Sequence, residues 1–264
     1  MFDNVCKFLA ESFSADFASW LLGESISLTE LSPSELSLEP IRADTLILLQ
    51  SPEIVLHLEF QTQPDEDMAF RMIDYRLRVY RRFPHKRMRQ VVIYLKKTNS
   101  ELVYQNAFSI PGTRHEFEVI RLWEQPSDIF FRYPGLLPFA VLGETNDRAE
   151  TLRQVAQEIP DIAERRTQSN VAAATSILAG LVLDKGLIKR LLRRELMQES
   201  VIYQELIEEG EAKGEAKGLA KGLSQGIQLV AANLIKNGMA VEEIAKVTGL
   251  TVEQVQLLRQ QQET

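Results

Sequence analysis

Two carboxylates and an amide occur on consecutive apolar segments in the first quarter of the chain. Asp44 stands at the start of one segment, and Glu59 and Gln61 lie near the end of the next. An unpaired charge costs several kcal/mol to bury, roughly, so Glu59 requires a partner, a water or a metal. Two carboxylates with a backbone carbonyl, here that of Phe60, are the hard oxygen ligands that Mg²⁺ prefers.

Two β-strands, about 44–49 and 54–61, are predicted to position these groups, with Ser51-Pro52 between them. Successive side chains of a strand point to opposite faces, so His57, Glu59 and Gln61 share one face. If the strands are neighbours, Asp44 and Glu59 converge there on Mg²⁺ or Mn²⁺, and Gln61 can orient a water. Such a site suits metal-assisted attack on a phosphodiester, because the metal lowers the pKa of the water.

A family resemblance appears at the same residues. Asp44 followed by Glu59-Phe60-Gln61 resembles the PD-(D/E)XK nuclease signature in its E-x-Q form. Residues 1–142, and the glycine-rich tail, look like the recombination-promoting nuclease and transposase-like family. The resemblance implies an α/β, restriction-endonuclease-like mixed sheet flanked by helices, and Mg²⁺-dependent DNA cleavage in recombination or transposase-like exchange. Asp44 and Glu59 match the metal-binding acids, and Gln61 stands where lysine is more common.

The segment after this site is the most basic part of the chain. A helix is predicted over Met68–Phe83 and ends before Pro84. Its i, i+4, i+7 and i+11 positions place four candidate DNA-contacting residues on one face: Arg71, Tyr75, Arg78 and Arg82. A solvated helix face is the alternative interpretation.

Two accessory candidates have simpler structural interpretations. His57 faces the same side as Glu59 and is a candidate general base, or else a hydrogen-bonded structural residue. Glu11 lies on a predicted helix, or broken helix pair, over Asn4–Leu22 and is a candidate additional acid, or else a solvated glutamate. His85 and His115 have no neighbouring ligand residues and are expected at the surface. The literal Pro64-Asp65 follows the E-x-Q strand and is expected to be a decoy.

Composition limits the partners. The net charge of −7 argues against non-specific DNA binding by the whole chain, so a DNA interface has to come from local clustering of basic residues. The single cysteine, Cys6, excludes a disulfide framework and suits a reducing cytoplasm. The most apolar run, Val171–Leu183, is too short to span a bilayer, so no membrane partner is expected.

The second half is predicted to be an all-helical extension. Glycine recurs at every fourth residue from Gly210 to Gly226, which indicates either a self-associating helix or a semi-flexible tether. Residues Val241–Gln260 match a helix-turn-helix pattern, with Gly249 in the turn and Thr251 as N-cap. Its second helix is poor in basic residues, which favours a protein contact or homo-oligomer over DNA reading. The expected division has four parts: a nuclease-like core at 1–145, a helical subdomain at 146–209, a glycine-periodic linker at 210–230 and a helix-turn-helix-like tail at 231–264.

Two functions remain in view from the sequence. The first is a metal-dependent DNA endonuclease that uses Asp44, Glu59 and Gln61. The second is a non-catalytic nuclease-fold scaffold that binds DNA or proteins through its helical tail. A preference for RNA over DNA is also open, because nothing in the sequence reads a 2′-hydroxyl.

Overall fold

The fold is taken from a computed structural model that describes residues 2–31, 46–192 and 200–262. Asp44 lies outside the described residues, and so do residues 35–41, where the alternating pattern of the sequence predicts a first edge strand. The chain forms two compact units, Met1–Gln204 and Glu205–Thr264.

A mixed sheet is the centre of the first unit. The strands are β1 (Thr29–Glu30), β2 (Leu46–Gln50), β3 (Ile54–Gln61), β4 (Arg87–Tyr94), β5 (Ala107–Ile110), β6 (Thr113–Glu116) and β7 (Glu118–Arg121). Among the described residues, five of them pair in the order β1-β2-β3-β4-β7. The β1–β2 and β2–β3 pairs are antiparallel, whereas β3–β4 and β4–β7 are parallel. The turn predicted at Ser51-Pro52 therefore joins β2 and β3 as adjacent strands, as expected.

Helices cover both faces of this sheet. The first unit contains α1 (Phe2–Ser12), α2 (Ser14–Leu22), α3 (Met68–Arg82), α4 (Arg148–Glu158), α5 (Arg165–Ala179) and α6 (Lys185–Leu191). The broken helix pair at the N-terminus is confirmed, and Gly23 ends it in the left-handed region at φ 76°. The prediction of a helix that ends before Pro84 is also confirmed.

The alternating pattern of β3 divides its side chains between two cores. Phe60 packs toward α2 and a following 3₁₀ segment, Pro134–Leu142, with ring centroids 6.3 Å from Phe17 and 5.8 Å from Phe139. On the other face, Val55 joins Tyr75 and Val79 of α3 in a buried cluster. Because α3 covers this second face, the polar residues His57 and Glu59 are buried as well.

The chain after β4 differs from the sequence prediction. The sequence predicts further strands over 103–111 and 115–124, but 3₁₀ turns occupy Glu101–Tyr104 and Leu122–Glu124 in the structure. Three short strands lie between these turns, and β5 and β6 form a separate antiparallel hairpin. Pro-Gly is a turn signal in a sequence, and Pro111-Gly112 forms the turn between β5 and β6. Gly112 has φ 78°, a value that a side chain would disfavour.

The second unit is helical. One helix, α7 (Val201–Lys236), contains the whole stretch of periodic glycines, and α8 (Val241–Thr248) and α9 (Val252–Gln262) follow it. The helix-turn-helix prediction is confirmed in its details. Gly249 has φ 73°, and Thr251 and Gln254 form a reciprocal capping box at 2.9 and 3.3 Å. Ile244 and Val255 are buried together with Ala231 of α7.

The predicted mixed α/β architecture, with sheet and flanking helices, is thus observed. No helix within the described ranges has both the length and the apolar character needed to cross a membrane.

The close approach of Gly135 to α2 gives a first prediction. A Cβ added at Gly135 would lie 2.3 Å from Cβ of Phe13. The backbone N–H of Gly135 donates a hydrogen bond to Asp16 Oδ2 at 2.9 Å. Gly135→Ala should therefore destabilise the first unit by about 1–3 kcal/mol, as overpacking does. Urea unfolding followed by the fluorescence of Trp20 and Trp123 measures this. The control Gly218→Ala, where the added Cβ meets open space, should leave that transition unchanged.

Candidate functional site

The candidate site lies between β3 and α3. His57, Glu59 and Gln61 of β3 point toward α3, and the first two have no exposed surface. Their partners across the parallel β3–β4 pair are Gln90, Val92 and Tyr94, whose side chains therefore lie on the same face. One surface of the sheet thus carries a set of buried polar groups under a single helix.

Arg71 of α3 is the counter-ion of Glu59. Its Nη2 donates to Glu59 Oε2 at 2.6 Å, and its Nη1 donates to Asp65 Oδ2 at 2.8 Å. Burial by itself lowers the pKa of Arg71, but Glu59 and Asp65 more than offset this, and the pKa is raised. The requirement that Glu59 has a partner is thus met by a cation on the neighbouring helix.

The second carboxylate oxygen of Glu59 has no hydrogen bond. Glu59 Oε1 lies 3.5 Å from His57 Nε2, which is longer than a good hydrogen bond, and both atoms are buried without a partner. Buried polar atoms are almost always satisfied, so an unsatisfied one requires an explanation such as an ordered water, an ion, local strain or a functional role. Glu59 therefore presents one paired oxygen and one open oxygen.

His57 continues into a hydrogen-bonded network that ends at a cleft. Gln90 Nε2 lies 3.0 Å from His57 Nδ1 and donates to the carbonyl of Met72 at 2.7 Å. Gln90 Oε1 lies 2.8 Å from His115 Nε2. His115 lines a cleft of about 490 Å³ with Gln90, Arg76 and other residues. Burial lowers the pKa of His115 below its usual value, and the charge of Arg76 lowers it further.

Two buried tyrosines, Tyr75 of α3 and Tyr94 of β4, lie next to these polar groups. The Tyr75 ring contacts His57 edge-on at a centroid distance of 5.1 Å. Burial raises the pKa of Tyr75, and the negative charge of Glu59 raises it further. Burial likewise raises the pKa of Tyr94, with a contribution from Asp65. Both phenols are therefore neutral groups next to the Glu59–Arg71 pair.

The structure differs from the prediction that one solvent-facing side of α3 carries Arg71, Tyr75, Arg78 and Arg82. Tyr75 belongs to the apolar stripe with Met72 and Val79 and is 6% exposed, so it does not share a solvent-facing surface with the arginines. Arg71 turns inward to Glu59, and Arg78 pairs with Asp74 at 2.9 Å. Of the four candidates, only Arg82 is exposed. The apolar stripe determines the rotation of the helix, because burial of its large side chains outweighs solvation of single charges.

The remaining candidates have different surroundings. Glu11 is half-buried and pairs with Lys7 at 3.7 Å on α1. Burial raises the pKa of Glu11, Lys7 opposes this, and Glu30 adds to it. Gln61 ends β3 in a half-buried position. The structure shows no contact between Glu11 and Glu59 among the described residues.

Sequence reasoning missed three members of the cluster. Asp65, dismissed as a decoy, binds the same arginine as Glu59. Gln90 is the polar residue that opens an otherwise apolar run, and this was the available signal. His115, expected at the surface, is partly buried and bonds to Gln90. Its involvement could not be read from spacing, because it depends on the packing of a separate hairpin.

The described residues supply only part of what a divalent cation requires. The open oxygen of Glu59 is a hard ligand of the kind that Mg²⁺ prefers. The described residues contain no group of three or more His, Cys, Asp or Glu side chains suited to a metal. A complete site therefore depends on Asp44, which lies outside them.

Comparison with known proteins adds no assignment, since no protein-family model, no curated protein and no solved structure matches this chain.

The Glu59–Arg71 pair gives a second prediction. Arg71→Met should destabilise the first unit by about 3 kcal/mol, because it leaves Glu59 buried without its cation. Glu59→Leu added to Arg71→Met should restore much of that loss, since an apolar pair needs no counter-ion. The coupling energy from urea unfolding of the two single variants and the double variant should be about 1–3 kcal/mol.

The exposed pair Arg114–Glu116, whose side chains are 64% and 68% exposed, is the matched control. Its double-mutant cycle should give less than about 1 kcal/mol. An equal coupling energy for the two pairs would contradict the internal role assigned to Arg71.

Proposed function

We propose that this protein is a metal-dependent DNA endonuclease with a restriction-endonuclease-like fold, of the recombination-promoting nuclease type. The observation that carries the proposal is the fully buried Glu59, which has one oxygen paired with Arg71 and the other open. A buried carboxylate with an open oxygen is costly unless it serves a ligand. The mixed sheet, in which α3 connects the parallel strands β3 and β4, is compatible with this fold.

In this proposal, Asp44 and Glu59 hold Mg²⁺ or Mn²⁺, and Gln61 at the end of β3 orients the attacking water. The metal would lower the pKa of that water and neutralise charge on the leaving oxygen. Arg71 would supply positive charge beside the metal-binding Glu59, where the resemblance leads one to expect a lysine at the position of Gln61. Its guanidinium is fixed there by Glu59 at 2.6 Å and Asp65 at 2.8 Å.

The DNA backbone would be held by basic groups at the end of α3 and at the start of β4. Arg81, Arg82 and Arg87 are exposed there, whereas Arg78 and Arg89 are engaged with carboxylates. A chain with a net charge of −7 depends on such local clustering of basic residues to bind DNA. Backbone contacts of this kind position a duplex without reading its sequence.

Plasmid nicking tests the proposal directly. Supercoiled DNA should be nicked with Mg²⁺ or Mn²⁺ and stay intact with EDTA. Glu59→Gln should lower the rate by about a hundredfold or more, because even residues around metal ligands account for 10–100-fold. Gln is close to Glu in shape, so this change preserves packing.

The control is Glu53→Gln, an exposed glutamate in the turn before β3, which should cleave as the wild type does. A single-stranded RNA offered in place of the plasmid decides between DNA and RNA. Full activity in Glu59→Gln, or cleavage that survives EDTA, would refute the proposal.

A second candidate, a self-associating scaffold, is favoured by a separate observation on α7. Leu219, Leu223 and Val230 are exposed, at 75%, 65% and 50%. Gly222 and Gly226 lie on the same helix face, and a Cβ added to either would meet nothing within 4 Å. Glycine allows helix axes to approach closely, so this face suits a second copy of the same helix.

An antiparallel arrangement of the two copies fits the charges. Glu208 and Lys236, both exposed, lie fourteen residues on either side of Gly222 (222 − 208 and 236 − 222). A two-fold axis at Gly222 would therefore place Glu208 of each copy opposite Lys236 of the other. The occupant of the face in this candidate is a second copy of the chain.

The test is sedimentation velocity of the full chain. Leu223→Glu should raise the dimer dissociation constant by about tenfold or more, since a buried apolar side chain contributes about 1.5–3 kcal/mol. Gln225→Glu, an exposed position outside the stripe, is the control for added charge. A monomeric wild type, or an equal effect of the two variants, would exclude this candidate.

A further inference from the structure

One backbone carbonyl limits the hydrogen-bonding choices of the buried polar network. The carbonyl of Met72 lies 2.7 Å from the Gln90 side-chain amide and can only accept a hydrogen bond. The atom of Gln90 next to it must therefore be Nε2 and not Oε1. This orientation follows from chemistry, since two acceptors at that distance would repel.

The orientation of Gln90 then determines the proton of His57. Gln90 Nε2 also lies 3.0 Å from His57 Nδ1, so that ring nitrogen has to accept. A neutral ring with an accepting Nδ1 carries its proton on Nε2. Nε2 is the atom 3.5 Å from the open oxygen of Glu59.

The same orientation determines the proton of His115. Gln90 Oε1 can only accept, and it lies 2.8 Å from His115 Nε2. His115 therefore also carries its proton on Nε2. Both assignments depend on Gln90, which is 6% exposed and belongs to β4.

We propose that Gln90 and His57 are positioning residues for Glu59, with His57 held as a neutral donor whose Nε2–H faces the open oxygen of Glu59. His57 is then neither a general base nor a metal ligand, because the nitrogen that faces the site is protonated. Arg71 is hydrogen-bonded to one oxygen of Glu59, and the Nε2–H of His57 faces the other from 3.5 Å. This distance is too long for a good hydrogen bond, so His57 favours the orientation of the carboxylate electrostatically and leaves the lone pairs of that oxygen to a ligand. This role rests on the proposed function, since it specifies how the metal-binding Glu59 is held.

The first measurement needs no variant. The chain has three histidines, so long-range ¹H–¹⁵N correlation of the side chains of the ¹⁵N-labelled protein resolves each ring. At about pH 8, where an ordinary imidazole is neutral, His57 and His115 should both show the pattern with the proton on Nε2. His85, which is exposed, is the internal reference for an unrestrained ring. A proton on Nδ1 of His57 would overturn the proposal.

The second measurement tests whether His57 acts as an N–H donor. It compares His57→Leu, which has no donor, with His57→Gln, which restores one. Calorimetric titration with Mn²⁺ should show about tenfold weaker binding in His57→Leu, the loss typical of a residue that orients a ligand. His57→Gln, whose amide can place an N–H near the position of Nε2, should recover most of the affinity. Gln90→Met should bind as weakly as His57→Leu.

Equal losses in His57→Gln and His57→Leu would overturn the positioning role. If the wild type does not bind Mn²⁺, the proposed nuclease function is wrong. Gln90 and His57 then have no metal ligand to position. The ring assignments would still decide, from the spectra alone, whether Gln90 directs the protons of both histidines. The two failures are therefore distinguishable.

Discussion

The burial of one carboxylate is the constraint on which the first unit depends. Glu59 lies in the middle of a strand that is covered on both faces, and its charge has no access to water. A charge in that position is tolerable only if the protein supplies a cation or a ligand beside it. α3 supplies the cation through Arg71, which also binds Asp65. The rotation of α3, the turn before it and the strand beneath it are thereby linked in one electrostatic unit.

The polar network has a direction that is imposed by the backbone. A helix carbonyl at Met72 orients Gln90, and Gln90 orients the rings of His57 and His115. Each member is an acceptor or a donor because its neighbour allows only one choice. Such networks are costly when partly satisfied, and here the unsatisfied atoms are confined to the gap between His57 and Glu59.

The two candidate functions depend on different parts of the chain and are independent of each other. Phosphodiester hydrolysis would use the face of the sheet under α3, whereas self-association would use the exposed Leu and Gly positions of α7. Neither requires the other, because the units Met1–Gln204 and Glu205–Thr264 have separate cores.

Local patterns in the sequence determined the helix end before Pro84, the turn at Ser51-Pro52, the capping box at Thr251 and the strand face that carries Glu59. These follow from short-range rules of backbone geometry and side-chain alternation, which a sequence displays directly. Tertiary structure alone decided that Arg71 turns inward, that Tyr75 is buried, and that Gln90 and His115 join His57. Those outcomes depend on the register between β3 and β4 and on the rotation of α3, which arise from burial summed over residues far apart in the chain.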